Sequence, residues 1–276
     1  MIPAPFDYVR AESVDHALAL LAEHGDEAKP LAGGHSLLPL MKLRLATPAV
    51  LVDVGRLDEL RGVRLVDGAV EIGALTRHHE LETSPVLAEH LPLLAHAASQ
   101  VGDPQVRHRG TLGGSLCHGD PASDLAAVVL ALGATLGVQG PGGTRELPAI
   151  ETFTGFLETA VGPDELLTAV RIPAATGAPW SFQKFTRRAQ DWAVAGVAAV
   201  RRPQGCGIAL VNMGPTPLLA SAATAAVDAG QDAEAAAELA AEGTEPPSDV
   251  AASPEYRAQL ARVLVRRALE EAGVSR

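Results

Sequence analysis

The sequence predicts an α+β chain of two domains. Three observations predict it. Short apolar strand-like runs are interleaved with helical segments along the chain. A stretch from Pro173 to Pro179, holding Gly and two prolines at its ends and no hydrophobic pattern, breaks this series and marks a domain boundary. Beyond it, three strand-like runs come first and helices follow, the segregation expected of an α+β unit.

The elements follow in order. Ser13 to His24 reads as a helix: Ser13 can cap it, Val14, Ala17, Leu18 and Leu21 line one face, and Gly25 ends it. After the segment Ala32-Gly33-Gly34-His35-Ser36 and the apolar run Leu37 to Leu45, Val50 to Val54 is a short strand. Val70, Ile72 and Ala74 alternate as a second strand. Pro85 to Gln100 is mostly helical, interrupted at Pro92. Asp124 to Leu132 is an apolar helix with Gly133 just past it, Gly140-Pro141-Gly142-Gly143 is a turn, and Leu166 to Ile172 is a strand. In the second domain, Phe182 to Arg187, Val194 to Arg201 and Cys206 to Met213 are three strands, the last two joined at Pro203-Gln204-Gly205. Ser221 to Glu242 is an alanine-rich helix broken at Gly230. A final helix opens at Ser253-Pro254, buries Leu260, Val263, Leu264 and Ala268, and ends at Gly273.

Composition narrows the function. The chain has 276 residues, 47% of them hydrophobic, so it can bury a substantial core. Aromatics are only 3%, which leaves Ala, Val and Leu to fill it. A net charge of −11 argues against nucleic acid and anionic membranes as partners. Cys117 and Cys206 are the only cysteines, too few for an iron–sulfur cluster, and are read as reduced thiols of a cytoplasmic protein. The start, Met1-Ile2-Pro3-Ala4-Pro5, lacks the basic and apolar regions of a signal peptide, and no run is long enough for a membrane helix.

Two segments share one design: Ala32-Gly33-Gly34-His35-Ser36, followed by Leu37, and Thr111-Leu112-Gly113-Gly114-Ser115. Both are read as loops in which paired glycines stand beside small hydroxyls. Glycine permits positive φ and close approach of a ligand, and successive N–H groups in such turns hold anions. Two such loops can grip the two phosphates of one dinucleotide. The commoner phosphate folds are absent: there is no G-x-x-x-x-G-K-S/T and no G-x-G-x-x-G between a strand and a helix.

Several motifs stand in a familiar order: Phe6-Asp7-Tyr8, the run Ala32 to Arg44, Ile72-Gly73-Ala74-Leu75-Thr76, Arg107 to Ser115, and Asp120-Pro121-Ala122-Ser123-Asp124. Met213-Gly214-Pro215-Thr216-Pro217, Ser248-Asp249 and Ser253-Pro254-Glu255-Tyr256-Arg257 extend the series. In this, nearly end to end, the chain resembles the FAD-binding medium subunits of molybdenum hydroxylases, the xanthine dehydrogenase and carbon monoxide dehydrogenase family. The resemblance implies a two-part FAD-binding domain of the vanillyl-alcohol-oxidase-like (PCMH) type over 1–175, divided near residue 55, and a smaller domain over 176–276 with a three-stranded antiparallel sheet and helices. It implies noncovalent FAD, a small subunit with 2Fe-2S clusters and a large subunit with the molybdenum cofactor, assembled as a dimer of heterotrimers. Electrons would pass from the clusters through FAD to an external acceptor.

The resemblance also assigns residues. Ala32, Gly33, Gly34, His35, Ser36 and Leu37 match the first phosphate segment, and Thr111, Gly113, Gly114 and Ser115 the second, with Asp120 beyond it. Asp124 matches an acidic residue on the flavin side of FAD; the local alternative is a helix N-cap. Lys184 matches a lysine near the flavin, where a cation favours the reduced ring, and Trp192 matches an aromatic beside it. Leu166 or Leu167 matches an apolar position near the ring. His35 follows Gly-Gly as in distant flavin oxidases that bond FAD covalently, but the molybdenum hydroxylase subunits hold it noncovalently. His78, His79, His108 and His118 lack zinc-like spacing with cysteine. Two other functions remain open on the residues alone: a stand-alone FAD-dependent oxidoreductase with its own small-molecule substrate, for which no catalytic base is evident, and a nucleotide-binding scaffold.

Overall fold

A computed structural model describes residues 2–275. The amino-terminal part is a three-stranded parallel sheet of β1 (Asp7–Arg10), β2 (Ala28–Leu31) and β3 (Val50–Asp53), in the order β1-β3-β2. Helix α1 (Val14–His24) crosses from β1 to β2. The Ser13 hydroxyl caps it by accepting from the His16 N–H at 3.1 Å, and Gly25 ends it at φ +52°. A short helix α2 (Leu37–Lys42) lies between β2 and β3, so the first glycine segment is the turn that leaves a strand and enters a helix.

The central part is built on a five-stranded antiparallel sheet. Strands β4 (Val63–Val66) and β5 (Ala69–Gly73) form a hairpin. Helices α3 (His78–Glu82), α4 (Pro85–His90), α5 (Pro92–Ser99), α6 (Pro104–Arg107), α7 (Leu112–His118) and α8 (Asp124–Ala131) follow. The predicted break at Pro92 is the α4–α5 junction. Strands β6 (Thr135–Gly140) and β7 (Gly143–Pro148) flank the predicted glycine turn. After α9 (Ala149–Thr152) and the small hairpin β8 (Phe153–Gly155) and β9 (Glu158–Thr159), strand β10 (Leu166–Pro173) inserts between β5 and β6. The sheet order is β4-β5-β10-β6-β7.

One expectation is corrected here. Leu112 to Ser115 is not a loop but the first turns of α7, capped by the Thr111 hydroxyl, which accepts from the Gly114 N–H at 3.2 Å. Thr111 before a pair of glycines reads locally as a turn. The competing cue, a hydroxyl three residues ahead of a helix N–H, decides the structure.

The carboxy-terminal part is an antiparallel sheet of β11 (Trp180–Phe185), β12 (Ala195–Arg202) and β13 (Gly205–Val211). It carries the three expected strands and a fourth, β14 (Leu218–Leu219), whose two residues give no periodic signal. Helices α10 (Ser221–Asp228), α11 (Ala233–Glu238) and α12 (Pro254–Glu271) cover one face. Strand β12 is buried on both sides: Ala195, Val197 and Ala199 pack toward those helices, Ala198 and Val200 toward the central part. Against that second face lies α8, every residue of which is buried. Gly207 on β13 permits this contact, because a Cβ there would stand 2.0 Å from the Ala131 carbonyl oxygen. Arg202 donates to the Leu132 carbonyl at 2.6 Å and closes the end of the same helix. Among the described residues, no helix is long and apolar enough to cross a membrane.

Gly207→Ala should therefore push α8 off the sheet and cost roughly 1–3 kcal/mol, as other overpacked contacts do. A urea midpoint equal to that of the native chain would refute the close-contact role.

Candidate functional site

The elements meet at one cavity of about 1060 Å³. That is near the top of the range of roughly 300–1,000 Å³ usual for ligand pockets. All fifteen residues singled out from the sequence line it: Ala32 to Leu37, Thr111, Gly113, Gly114, Ser115, Asp120, Asp124, Leu166, Lys184 and Trp192. They come from all three parts of the fold, so no local segment could form the site alone.

The first segment is held open by its neighbours. A Cβ on Gly33 would stand 2.2 Å from the Arg109 carbonyl oxygen, so the two glycine segments approach through bare backbone. Gly34 takes φ +82°. Among the described residues, no protein acceptor takes the N–H groups of Gly33, Gly34, His35 or Ser36. Four consecutive free donors on a cavity wall suit a pyrophosphate.

The second segment works differently from the sequence expectation. Its N–H groups are already used: Gly113 donates to the Ala74 carbonyl at 2.8 Å, Gly114 to the Thr111 hydroxyl, and Ser115 to the Thr111 carbonyl at 3.1 Å. What it offers the cavity is a helix surface bared at Gly114 and the Ser115 hydroxyl. Gly113 is required by packing, since its Cβ would meet Ala74 at 2.7 Å. The ring of N–H donors expected from both segments is supplied by the first alone.

His78, not predicted as a site residue, lines the cavity beside the second segment. Its Nε2 lies 3.3 Å from the Ser115 hydroxyl, and its backbone N–H donates to the Gly110 carbonyl at 3.0 Å. Burial, with His35 and Arg107 nearby, lowers its pKa to about 4, so the ring is neutral at ordinary pH. No sequence pattern marks it: a single histidine at the start of a five-residue helix carries no periodicity. Strand β9 with Val161, Gly162 and Pro163 after it, and Gln190 and Asp191, also line the cavity through tertiary placement alone. Cys117 lines the cavity and is exposed. Cys206 is buried, and both cysteines are free thiols.

At the far wall, Lys184 Nζ lies 2.6 Å from Asp124 Oδ2 and donates to the Gln100 carbonyl at 3.0 Å. The side chains are 9% and 6% exposed. Ser123, not Asp124, caps α8, its hydroxyl accepting from the Ala126 N–H. Asp124 is thus free to face the cavity, and its second oxygen, Oδ1, is buried without a partner among the described residues. Burial raises the Asp124 pKa to about 6, with Lys184 pulling it back. Asp120 Oδ1 accepts from the Ala122 N–H at 2.8 Å, which shapes the turn into α8. Leu166 is buried against the amino-terminal core, and Trp192 is 61% exposed at the cavity edge.

Residues 4–175 match the FAD binding domain in molybdopterin dehydrogenase, and residues 180–272 match the CO dehydrogenase flavoprotein C-terminal domain. The chain belongs to this family. It is 42% identical to the carbon monoxide dehydrogenase medium chain of Hydrogenophaga pseudoflava, over 99% of this chain and 98% of that one. The solved carbon monoxide dehydrogenase from the same organism superposes with a TM-score of 0.96 at 44% identity, covering 99% of this chain and 98% of that chain. Quinoline 2-oxidoreductase from Pseudomonas putida 86 superposes with a TM-score of 0.91 at 33% identity, covering 99% and 98%. The residues fit the cofactor that the family binds. Free N–H groups, a bared helix surface and an unpaired buried carboxylate oxygen are the partners that a diphosphate and a polar ring require.

The buried carboxyl gives a pH signature. The folded chain holds the Asp124 proton more tightly than the unfolded chain does. Its contribution to stability is therefore fully present below the ordinary value of 3.8 and is lost as pH rises through about 6. Relative to Asp124→Asn, the native chain should lose stability across that window in urea titrations. Parallel stability curves would contradict the buried, raised carboxyl.

Proposed function

We propose that the chain is the electron-transferring flavin subunit of a molybdenum hydroxylase, holding FAD noncovalently in this cavity. Partner subunits carry 2Fe-2S clusters and the molybdenum cofactor, in a cytoplasmic dimer of heterotrimers. The observation that carries the reading is the convergence of both glycine segments and the Asp124–Lys184 pair on one cavity. Bound FAD supplies an electron relay between an iron–sulfur donor and an external acceptor.

The chain's own residues bind and orient. The N–H groups of Gly33 to Ser36 and the Ser36 and Ser115 hydroxyls hold the diphosphate. Gly114 keeps this surface bare, since a Cβ built there would crowd the Thr111 hydroxyl at 2.8 Å and reach the Ala32 Cβ at 4.0 Å. Lys184 holds positive charge beside the ring, and Asp124 Oδ1 accepts a hydrogen bond from it. Leu166 and Trp192 flank the ring as apolar surfaces. No residue of the cavity is assigned as catalytic; substrate chemistry is placed in the molybdenum-bearing partner. The division into 1–175, split near 55, and 176–276 is part of the same reading. It is supported by the end of β10 at Pro173 and the start of β11 at Trp180.

Native purification should yield the chain with two further subunits, and with flavin, iron and molybdenum. Acid should release the FAD intact. A chain that purifies alone and turns over a substrate of its own would favour the stand-alone oxidoreductase and sink this reading. Within the complex, Gly114→Val should weaken FAD binding by about 100-fold, and Ser115→Ala by about tenfold, the latter equal to the 1.4 kcal/mol of one hydrogen bond. Flavin content after dialysis reads both.

A further inference from the structure

Among the described residues Arg257 is the largest fully buried side chain, a charged group with no exposed surface, and the cavity does not use it. It sits in the first turns of α12, where its Nη1 donates to the Val194 carbonyl. Nη2 lies 2.7 Å from Asp249 Oδ2, a charge pair rather than an aligned hydrogen bond. Burying a guanidinium is costly unless it is paired, so this position needs a reason.

The contacts around it supply one. Val194 closes an irregular arm, residues 186–194, that joins β11 to β12 and carries Gln190, Asp191 and Trp192 to the cavity. Both feet of the arm rest on the start of α12. At one foot, the Phe185 ring meets the Tyr256 ring edge-on at 6.5 Å, and the Val194 N–H closes onto the Phe185 carbonyl at 2.8 Å. At the other, Arg257 holds the Val194 carbonyl. Arg187, near the first foot, donates to the Val250 carbonyl at 3.0 Å, one residue from Asp249. Asp249 is itself fixed, its Oδ1 accepting from the Ala251 and Ala252 N–H groups at 2.8 and 3.1 Å. Asn212, at φ +60°, completes the clamp: its side-chain amide donates to the Ala193 carbonyl at 2.8 Å, and its backbone N–H donates to the Pro121 carbonyl in the turn before Asp124.

The arm itself has little else to hold it. Its inner bonds are Asp191 to the Trp192 N–H at 2.9 Å and the exposed pair Arg188–Asp191 at 3.3 Å. Trp192 is more than half exposed, so packing does not fix its place. We infer that Arg257, paired with Asp249, is a positioning residue that sets Trp192 at the cavity edge through the Val194 carbonyl. Arg rather than Lys is required, because only a guanidinium can reach a carbonyl and a carboxylate with two separate nitrogens at once.

The test uses the purified complex carrying Arg257→Lys or, as the milder change, Asp249→Asn. The latter keeps the oxygen that accepts from Ala251 and Ala252 and puts an uncharged NH2 donor where Oδ2 faced Arg257. Amide hydrogen exchange of the peptide spanning 186–194 should speed up by about tenfold in either variant, as expected for a local opening. Peptides of β12 and β13 should keep their native rates, which a general loss of stability would not allow. The second readout rests on the proposed contact of Trp192 with FAD. Arg257→Lys should accelerate FAD release, and should do so no longer in a Trp192→Ala background, because the effect runs through Trp192. Native exchange of the arm in both variants would overturn the inference whatever FAD does. Faster arm exchange with unaltered FAD release would uphold the anchor and refute the contact between Trp192 and FAD.

Discussion

Helix α8 has no polar face, and the architecture follows from covering it. Its residues from Asp124 to Ala131 are all buried, with α5 and α7 on one side and β12 and β13 on the other. A helix that is apolar all round must lie inside a protein, so the carboxy-terminal sheet has to close on the central part. One core cluster accordingly runs from the central sheet through α8 into Ala198, Val200, Ala209 and Val211. The packing is tight enough that glycine is needed at position 207 and arginine at 202 to finish the helix end.

That closure also makes the site. The amino end of α8 delivers Asp124 to the cavity, and the sheet packed on α8 delivers Lys184 opposite it. The pair forms where water is scarce, so the Coulomb attraction is strong and the desolvation cost is high. Desolvation wins on Asp124, whose pKa rises, although Lys184 opposes the shift. One carboxylate oxygen is spent on the lysine and the other is left unpaired, which marks the wall as a place for a polar ligand. Elsewhere in the cavity, the two glycine segments divide the labour: the first offers backbone N–H groups, while the second has used its own in α7 and offers a hydroxyl and bare surface.

Much of this was legible in the chain. Ser13 and Ser253 cap the helices they precede because a hydroxyl ahead of an apolar stripe has few other uses, whereas α8 is capped by Ser123, one residue before the Asp124 that the sequence offered. Pro92 and Gly230 break helices where their backbone chemistry demands it. The short strands β4, β8, β9 and β14 were not legible, since two to four residues, partly exposed, carry no alternation. The helical state of Leu112 to Ser115 was missed because two glycines outweigh a single capping threonine on any local scale. His78 and the stretch from β9 to Pro163 were invisible for a different reason: only their nearness in space to the glycine segments makes them cavity residues.

By itself the sequence determined the longer helices and strands, the glycine segments and the ordered motifs that carry the family, because caps, breakers and close-approach glycines act over a few residues. Only the tertiary structure decided which N–H groups remain free, which oxygen of Asp124 lacks a partner and which side of the cavity Trp192 occupies. Those depend on what each group meets from distant parts of the chain. Hydrogen bonds and desolvation are settled by such neighbours, and a one-dimensional pattern does not contain them.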